Sequence, residues 1–293
     1  MTARSVFVGE NGALRAVWRI ALFCVASIIS YIVIAAILGP PLVWLYRLVG
    51  AAGVTTEYLV EALALIAGTV IMVRHVDHAP WRDVWLDHDA ARPSALLTGF
   101  TLGALAIGLP ILALIAVGWL RRAPGAAASW WPAAARVTLL LLPAALLEEL
   151  LSRGYIFAVL GREWGWKWAL GVTSIIFGLL HLANNGASVQ STLLVMLAGV
   201  FLGVVLLVTR SLYAAWMAHF AWNWTMAALF HTAVSGFPME APGYSYVASG
   251  PNWATGGIWG PEGGLPAAIG MIGGLAYLIA RRRRTSGADR EET

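Results

Sequence analysis

Apolar stretches long enough to cross a lipid bilayer recur along the whole chain, beginning with the run from Trp18 to Leu38. In hydrocarbon every backbone N–H and C=O must be satisfied inside the protein, so segments of about 20 such residues fold as helices. Composition agrees, since 59% of the 293 residues are hydrophobic and only 12% charged, roughly half the charged fraction of a soluble domain. Hydropathy windows of about 19 residues place about eight spans, near 17–38, 57–74, 94–120, 133–157, 167–183, 190–209, 212–231 and 264–280. The expected fold is all-α, a polytopic transmembrane helical bundle with both termini cytoplasmic. Residues 1–280 should form one membrane-embedded domain, and 281–293 a charged, disordered cytoplasmic tail.

The first run lacks an obvious small-residue cleavage site and is expected to be retained. A single cysteine, Cys24, excludes an internal disulfide framework and a cysteine-based metal cage. The net charge of +4 is no nucleic-acid signature, because the positive residues fall in loops. With both termini inside, all 19 lysines and arginines lie on the cytoplasmic side or its flanks except Arg47, Arg121, Arg122 and Arg136. Residues 75–93 read as a polar loop with interfacial tryptophans. Residues 232–264, rich in Gly, Pro, Trp and Tyr and without Lys or Arg, read as a long external loop.

Against this background the stretch LLEELLSRGYIF (146–157) stands out, because a charged side chain at mid-bilayer costs roughly 2.5–3.5 kcal/mol on insertion scales. Glu149 and Arg153 are four apart, share a helix face and can neutralise each other. Glu148 points about 100° away and finds Ser152, not a cation, at +4. One carboxylate is thereby assigned to an ion pair and the other is left for chemistry. FGLLH places Phe177 below His181, and HFAWN sets His219 and Asn223 on one face. Counted from the expected cytoplasmic helix ends, Glu148, His181, His219 and Asn223 all lie about 12–20 Å deep.

EELLSR, FGLLH and HFAWN, in that order on successive membrane helices, resemble the motifs E-E-x-x-x-R, F-x-x-x-H and H-x-x-x-N of the CAAX protease and bacteriocin-processing family of intramembrane proteases, also called the CPBP or Abi family. The resemblance covers roughly 132–231. It implies an intramembrane endopeptidase acting on membrane-bound protein or peptide substrates, as the best-known relatives do on prenylated CAAX tails. Glu148 would activate the attacking water, His181 and His219 would be the catalytic histidines, and Asn223 the neighbouring amide. Glu149 and Arg153 match the second glutamate and the arginine of the first motif. Two mechanisms fit. Either His181, His219 and Glu148 hold a divalent ion, with Zn²⁺ favoured, or a metal-free site uses Glu148 and His181 to deprotonate water while His219 and Asn223 stabilise the oxyanion. A proton-coupled carrier, or a non-catalytic immunity or scaffold protein using the same polar cluster, is the competing class. The expected location is a membrane, as a multi-pass protein of the bacterial inner membrane, with no nucleic-acid partner.

Other polar clusters read as structural. The acids and histidines of 75–93 are expected to be solvated charge, and Trp130, Trp131, Trp164, Trp166 and Trp168 interfacial anchors. Gly199 and Gly203 form a small-xxx-small pair for close helix packing. The arginine run from Arg281 stops the last span and can meet anionic lipid.

Overall fold

The computed structural model describes residues 7, 14–51 and 53–291, with side chains as far as Arg283. Arg4 and the side chains of Arg284 and Arg290, used in the topology argument, lie outside the described residues. Helices occupy all eight expected positions. They are α1 (Ala16–Leu48), α2 (Val54–Ile71, prolonged by a π turn over Met72–Val76), α3 (Pro93–Ala116), α4 (Trp130–Arg153), α5 (Tyr155–Trp164), α6 (Trp166–Leu180), α7 (Val189–Thr209), α8 (Leu212–Trp224, prolonged by a π turn over Thr225–Leu229) and α9 (Leu265–Glu291). Five of these segments, Ala16–Leu48, Val54–Val76, Pro93–Ala116, Trp166–Ala183 and Val189–Thr209, are long and apolar enough to cross a membrane.

Three expectations are corrected. The span expected over 133–157 is two helices, because the chain breaks at Gly154 and restarts as α5. The break needs glycine, since a β-carbon there would stand 2.3 Å from the Leu150 oxygen. The span expected to reach 120 ends at Ala116, and Leu120–Pro124 instead forms β1, paired antiparallel with β2 (Tyr244–Ala248) from the 232–264 loop. The charged tail continues α9 to Glu291 rather than lacking structure, as a run of arginines with good helix propensity allows.

The 75–93 loop is also more integrated than its polarity suggests. Asp77 accepts hydrogen bonds from the Arg19 guanidinium and, at 2.8 Å, from the Tyr155 hydroxyl, which ties the loop to α1 and α5. Trp85 packs against Phe157 and Trp166, so Trp166 supports the interior as well as the surface. The histidines do not share this burial, and His88 stands exposed beside Asp89.

Close backbone approach sets the positions of α6, α7 and α8. A β-carbon at Gly199 would lie 2.9 Å from the Ser174 α-carbon, so α7 and α6 touch where the small-residue pair was expected. A second pair, which the sequence did not single out, is tighter. Added β-carbons at Gly99 and Gly103 would stand 2.0 and 1.9 Å from the backbone oxygens of Ala214 and Ala218, so α3 lies directly on α8. The side-chain caps of Ser188 on α7 and Ser211 on α8 satisfy orphan N–H groups at the two helix starts.

Replacing Gly103 by leucine is expected to push α3 off α8 and cost at least the ~1–3 kcal/mol of an overpacked core. Gly171→Leu, at a position with open space around it, should be tolerated. Size-exclusion profiles of the two variants in detergent, before and after graded heating, check this. A Gly103→Leu protein as heat-stable as Gly171→Leu contradicts the packing.

Candidate active site

Three helices carry the motif residues, and a fourth packs against them. Glu148, Glu149 and Arg153 lie on the last turns of α4, His181 caps the end of α6, Gly199 belongs to α7, and His219 and Asn223 to α8. The expected Glu149–Arg153 pair is present at 3.0 Å and fully buried, with side-chain exposures of 0% and 1%. It is part of something larger. Arg153 also donates to the Gly199 carbonyl at 3.1 Å, which fastens α4 to α7, and its guanidinium carbon sits 4.3 Å from the centre of the Phe177 ring. The same Glu149 oxygen lies 2.9 Å from His219 Nδ1. A buried carboxylate without partners is too costly to keep, and here one acid serves a guanidinium and an imidazole at once.

These bonds fix the histidine tautomers. His181 Nδ1 lies 2.8 Å from the Phe177 carbonyl oxygen, which can only accept, so Nδ1 carries the hydrogen. His219 Nδ1 likewise donates to Glu149. In the neutral rings both Nε2 atoms therefore present lone pairs. Both face the same atom, for Glu148 Oε2 lies 3.7 Å from His181 Nε2 and 3.8 Å from His219 Nε2. These separations are too long for hydrogen bonds, and Glu148 Oε2 has no hydrogen-bond partner although it is buried. Three acceptors facing one another repel unless a proton, a water or a cation lies among them. Phe177 fills the space beside both rings, 4.9 Å from His181 and 5.9 Å from His219 between ring centres.

The donor set suits a divalent ion in kind, with two imidazole Nε2 atoms, each steadied through its other nitrogen, and one carboxylate. Among the described residues, however, no group of three His, Cys, Asp or Glu side chains is assembled as a ready metal site.

A cavity of about 30 Å³ adjoins the histidines, lined by Phe177, His181, His219, Trp222, Asn223, Ser235 and Glu262 among others. It is large enough for a water molecule. Asn223 therefore joins the site as the spacing suggested. Glu262 was not foreseen. Its carboxylate accepts from Trp222 Nε1 at 2.8 Å, from the Ser235 backbone N–H at 2.6 Å and from the Ser235 hydroxyl at 2.8 Å. The 232–264 loop that carries it is held beside the end of α6 and the start of α7, where Asn184 donates to the Ser235 carbonyl and Gln190 to those of Trp253 and Gly263. The only sequence signal for Glu262 was a lone acid in the WGPEGG turn.

Truncating Arg153 to alanine should strand Glu149 and lower stability by about 3–5 kcal/mol, the usual cost of breaking a buried pair. Arg153→Lys should not rescue it, because an ammonium cannot reproduce the bridge to Gly199 and the stacking on Phe177. Thermal size-exclusion assays of both variants check this, and a Lys variant as stable as the parent contradicts the bridging role.

No curated protein and no solved structure matches the chain. Residues 129–225, about a third of its length and including all seven motif residues, match the family model described as Type II CAAX prenyl endopeptidase Rce1-like. The three motifs and this match agree: the segment that carries the motif residues is similar to the Rce1-like CAAX prenyl endopeptidases.

Proposed function

We propose that the protein is an intramembrane endopeptidase of the CAAX type, in which Glu148 activates water for attack on a peptide bond. The observation that carries this reading is the approach of the Glu148 carboxylate to two histidine lone pairs, at 3.7 and 3.8 Å, inside a bundle of apolar helices. Glu149 is held by donors from Arg153 and His219 on its Oε1, whereas Glu148 faces only the two lone pairs. The family resemblance supports the same chemistry and suggests membrane-anchored substrates, including prenylated C-terminal peptides.

In this reading Glu148 takes the proton of the attacking water and later returns it to the leaving amine. His181 and His219 hold that water in place, with Phe177 and Glu149 keeping the rings from turning. Arg153 acts through Glu149, as a positioning residue that never meets substrate. The Asn223 carboxamide, beside the same cavity, supplies an N–H donor to the developing oxyanion. His181, His219 and Glu148 are the residues that would hold a divalent ion, Zn²⁺ being the favoured one. Such an ion would polarise the scissile carbonyl and acidify the bound water.

Glu148→Gln keeps the size and polarity of the side chain, and it should retain the parent's elution profile and stability while cleavage of a prenylated CAAX peptide in proteoliposomes falls by at least ~10²-fold. Parental activity in this variant would remove the assignment. Metal content and cleavage rate of protein purified without added metal, with and without a chelator, separate the two chemistries. The zinc reading expects bound metal and loss of activity on its removal, whereas full activity of metal-free protein leaves glutamate-activated water alone.

A further inference from the structure

A second pocket lies away from the residues of the candidate active site, where α3 begins and α7 ends beside the arginine run of α9. A pocket of about 230 Å³ is lined there by Arg92, Ser94, Thr98, Thr209, Arg281 and Arg282, and none of its described lining residues is acidic. Arg92 is fixed in place, donating at 2.9 Å to the carbonyls of both Asp89 and Thr209. The first turn of α3, with Pro93 at its start, opens into the pocket and adds the positive end of a 24-residue helix.

Sharing Thr98 with this pocket, an apolar groove of about 770 Å³ runs between α3 and α9. Leu97, Leu105 and Leu109 line one wall, and Ile269, Gly273 and Tyr277 the other. The two helices touch at Gly270, where a β-carbon would lie 1.8 Å from the Ala106 oxygen, while a β-carbon at Gly273 would meet nothing within 4 Å. From Leu97 to Ala113 the groove follows α3 for about 24 Å at 1.5 Å per residue, most of a hydrocarbon core of about 30 Å. None of its lining residues borders the cavity at His181 and His219.

A soluble anion accounts for the arginines but not for the groove, and a hydrocarbon accounts for the groove but not for the arginines. We propose that the two together bind one anionic phospholipid, with its phosphate among Arg92, Arg281 and Arg282 and an acyl chain laid between α3 and α9. The arginine-rich end of the bundle is the end expected to face the cytoplasmic leaflet, where anionic lipids concentrate.

Native mass spectrometry of the full chain released from vesicles of equal phosphatidylglycerol and phosphatidylcholine tests this. The parent should retain one phosphatidylglycerol in preference to phosphatidylcholine. Arg282→Gln and Arg92→Gln should each reduce that preference by about fivefold, the effect of one cation at an anionic surface. Gly273→Leu, which fills open space in the groove, should abolish retention of either lipid. Arg282 is exposed on α9, so its variant carries the test even if Gly273→Leu disturbs packing. Equal retention of the two lipids by the parent, or an unchanged preference in Arg282→Gln, overturns the proposal. Displacement of the lipid by excess inorganic phosphate would mark a soluble-anion site, and displacement by a farnesylated peptide a substrate path; either result also overturns it. No readout here depends on proteolysis, so the lipid site and the protease reading stand or fall separately.

Discussion

The buried carboxylate of Glu149 is the constraint on which the rest of the site depends. A charge in this interior survives only if its partners are permanent, and Glu149 has two, Arg153 on its own helix and His219 on α8. Arg153 carries the tie on to the Gly199 carbonyl of α7 and to the face of Phe177 on α6. One ion pair thus references four helices to each other. Removing either charge would leave the other stranded, so the arrangement is cooperative: each helix is held in register by groups that need all the others.

This explains why two glutamates are adjacent. Successive side chains on a helix diverge by about 100°, so Glu148 and Glu149 reach His219 from different directions, one towards Nε2 and the other towards Nδ1. The inner acid sets the tautomer and orientation of the ring, and the outer acid, 35% exposed at its side chain, faces the ring's free lone pair at 3.8 Å. His181 achieves the same orientation by a different device, donating to the carbonyl of Phe177 one turn back at the end of its helix. Ring geometry is therefore fixed by the protein's own hydrogen bonds.

Much of this was legible in the sequence. The apolar runs located the helices, and the i,i+4 spacing correctly paired Glu149 with Arg153 and set Glu148 apart. What escaped reading was tertiary. Spacing within α4 says nothing of which foreign ring lies against Glu149, so the second partner of that acid was invisible. Gly99 and Gly103 sit in a uniformly apolar span whose periodicity does not reveal that α8 passes over them. Gly154 broke a span that hydropathy read as continuous, because hydropathy is blind to a clash with the preceding carbonyl. Glu262 arrives from a loop more than 30 residues beyond Asn223, and no local pattern announces that such a loop folds back over the site.

The most direct test of the central claim is a distance measurement in lipid. Solid-state NMR dipolar recoupling between ¹⁵N-labelled histidine rings and ¹³C-labelled glutamate carboxyls, in bilayers, would report which pairs are close, with His181 and His219 variants assigning the signals. The account predicts that Glu148 couples to Nε2 of both histidines and that Glu149 couples to Nδ1 of His219 alone. A Glu148 carboxyl showing no coupling to either ring would contradict it.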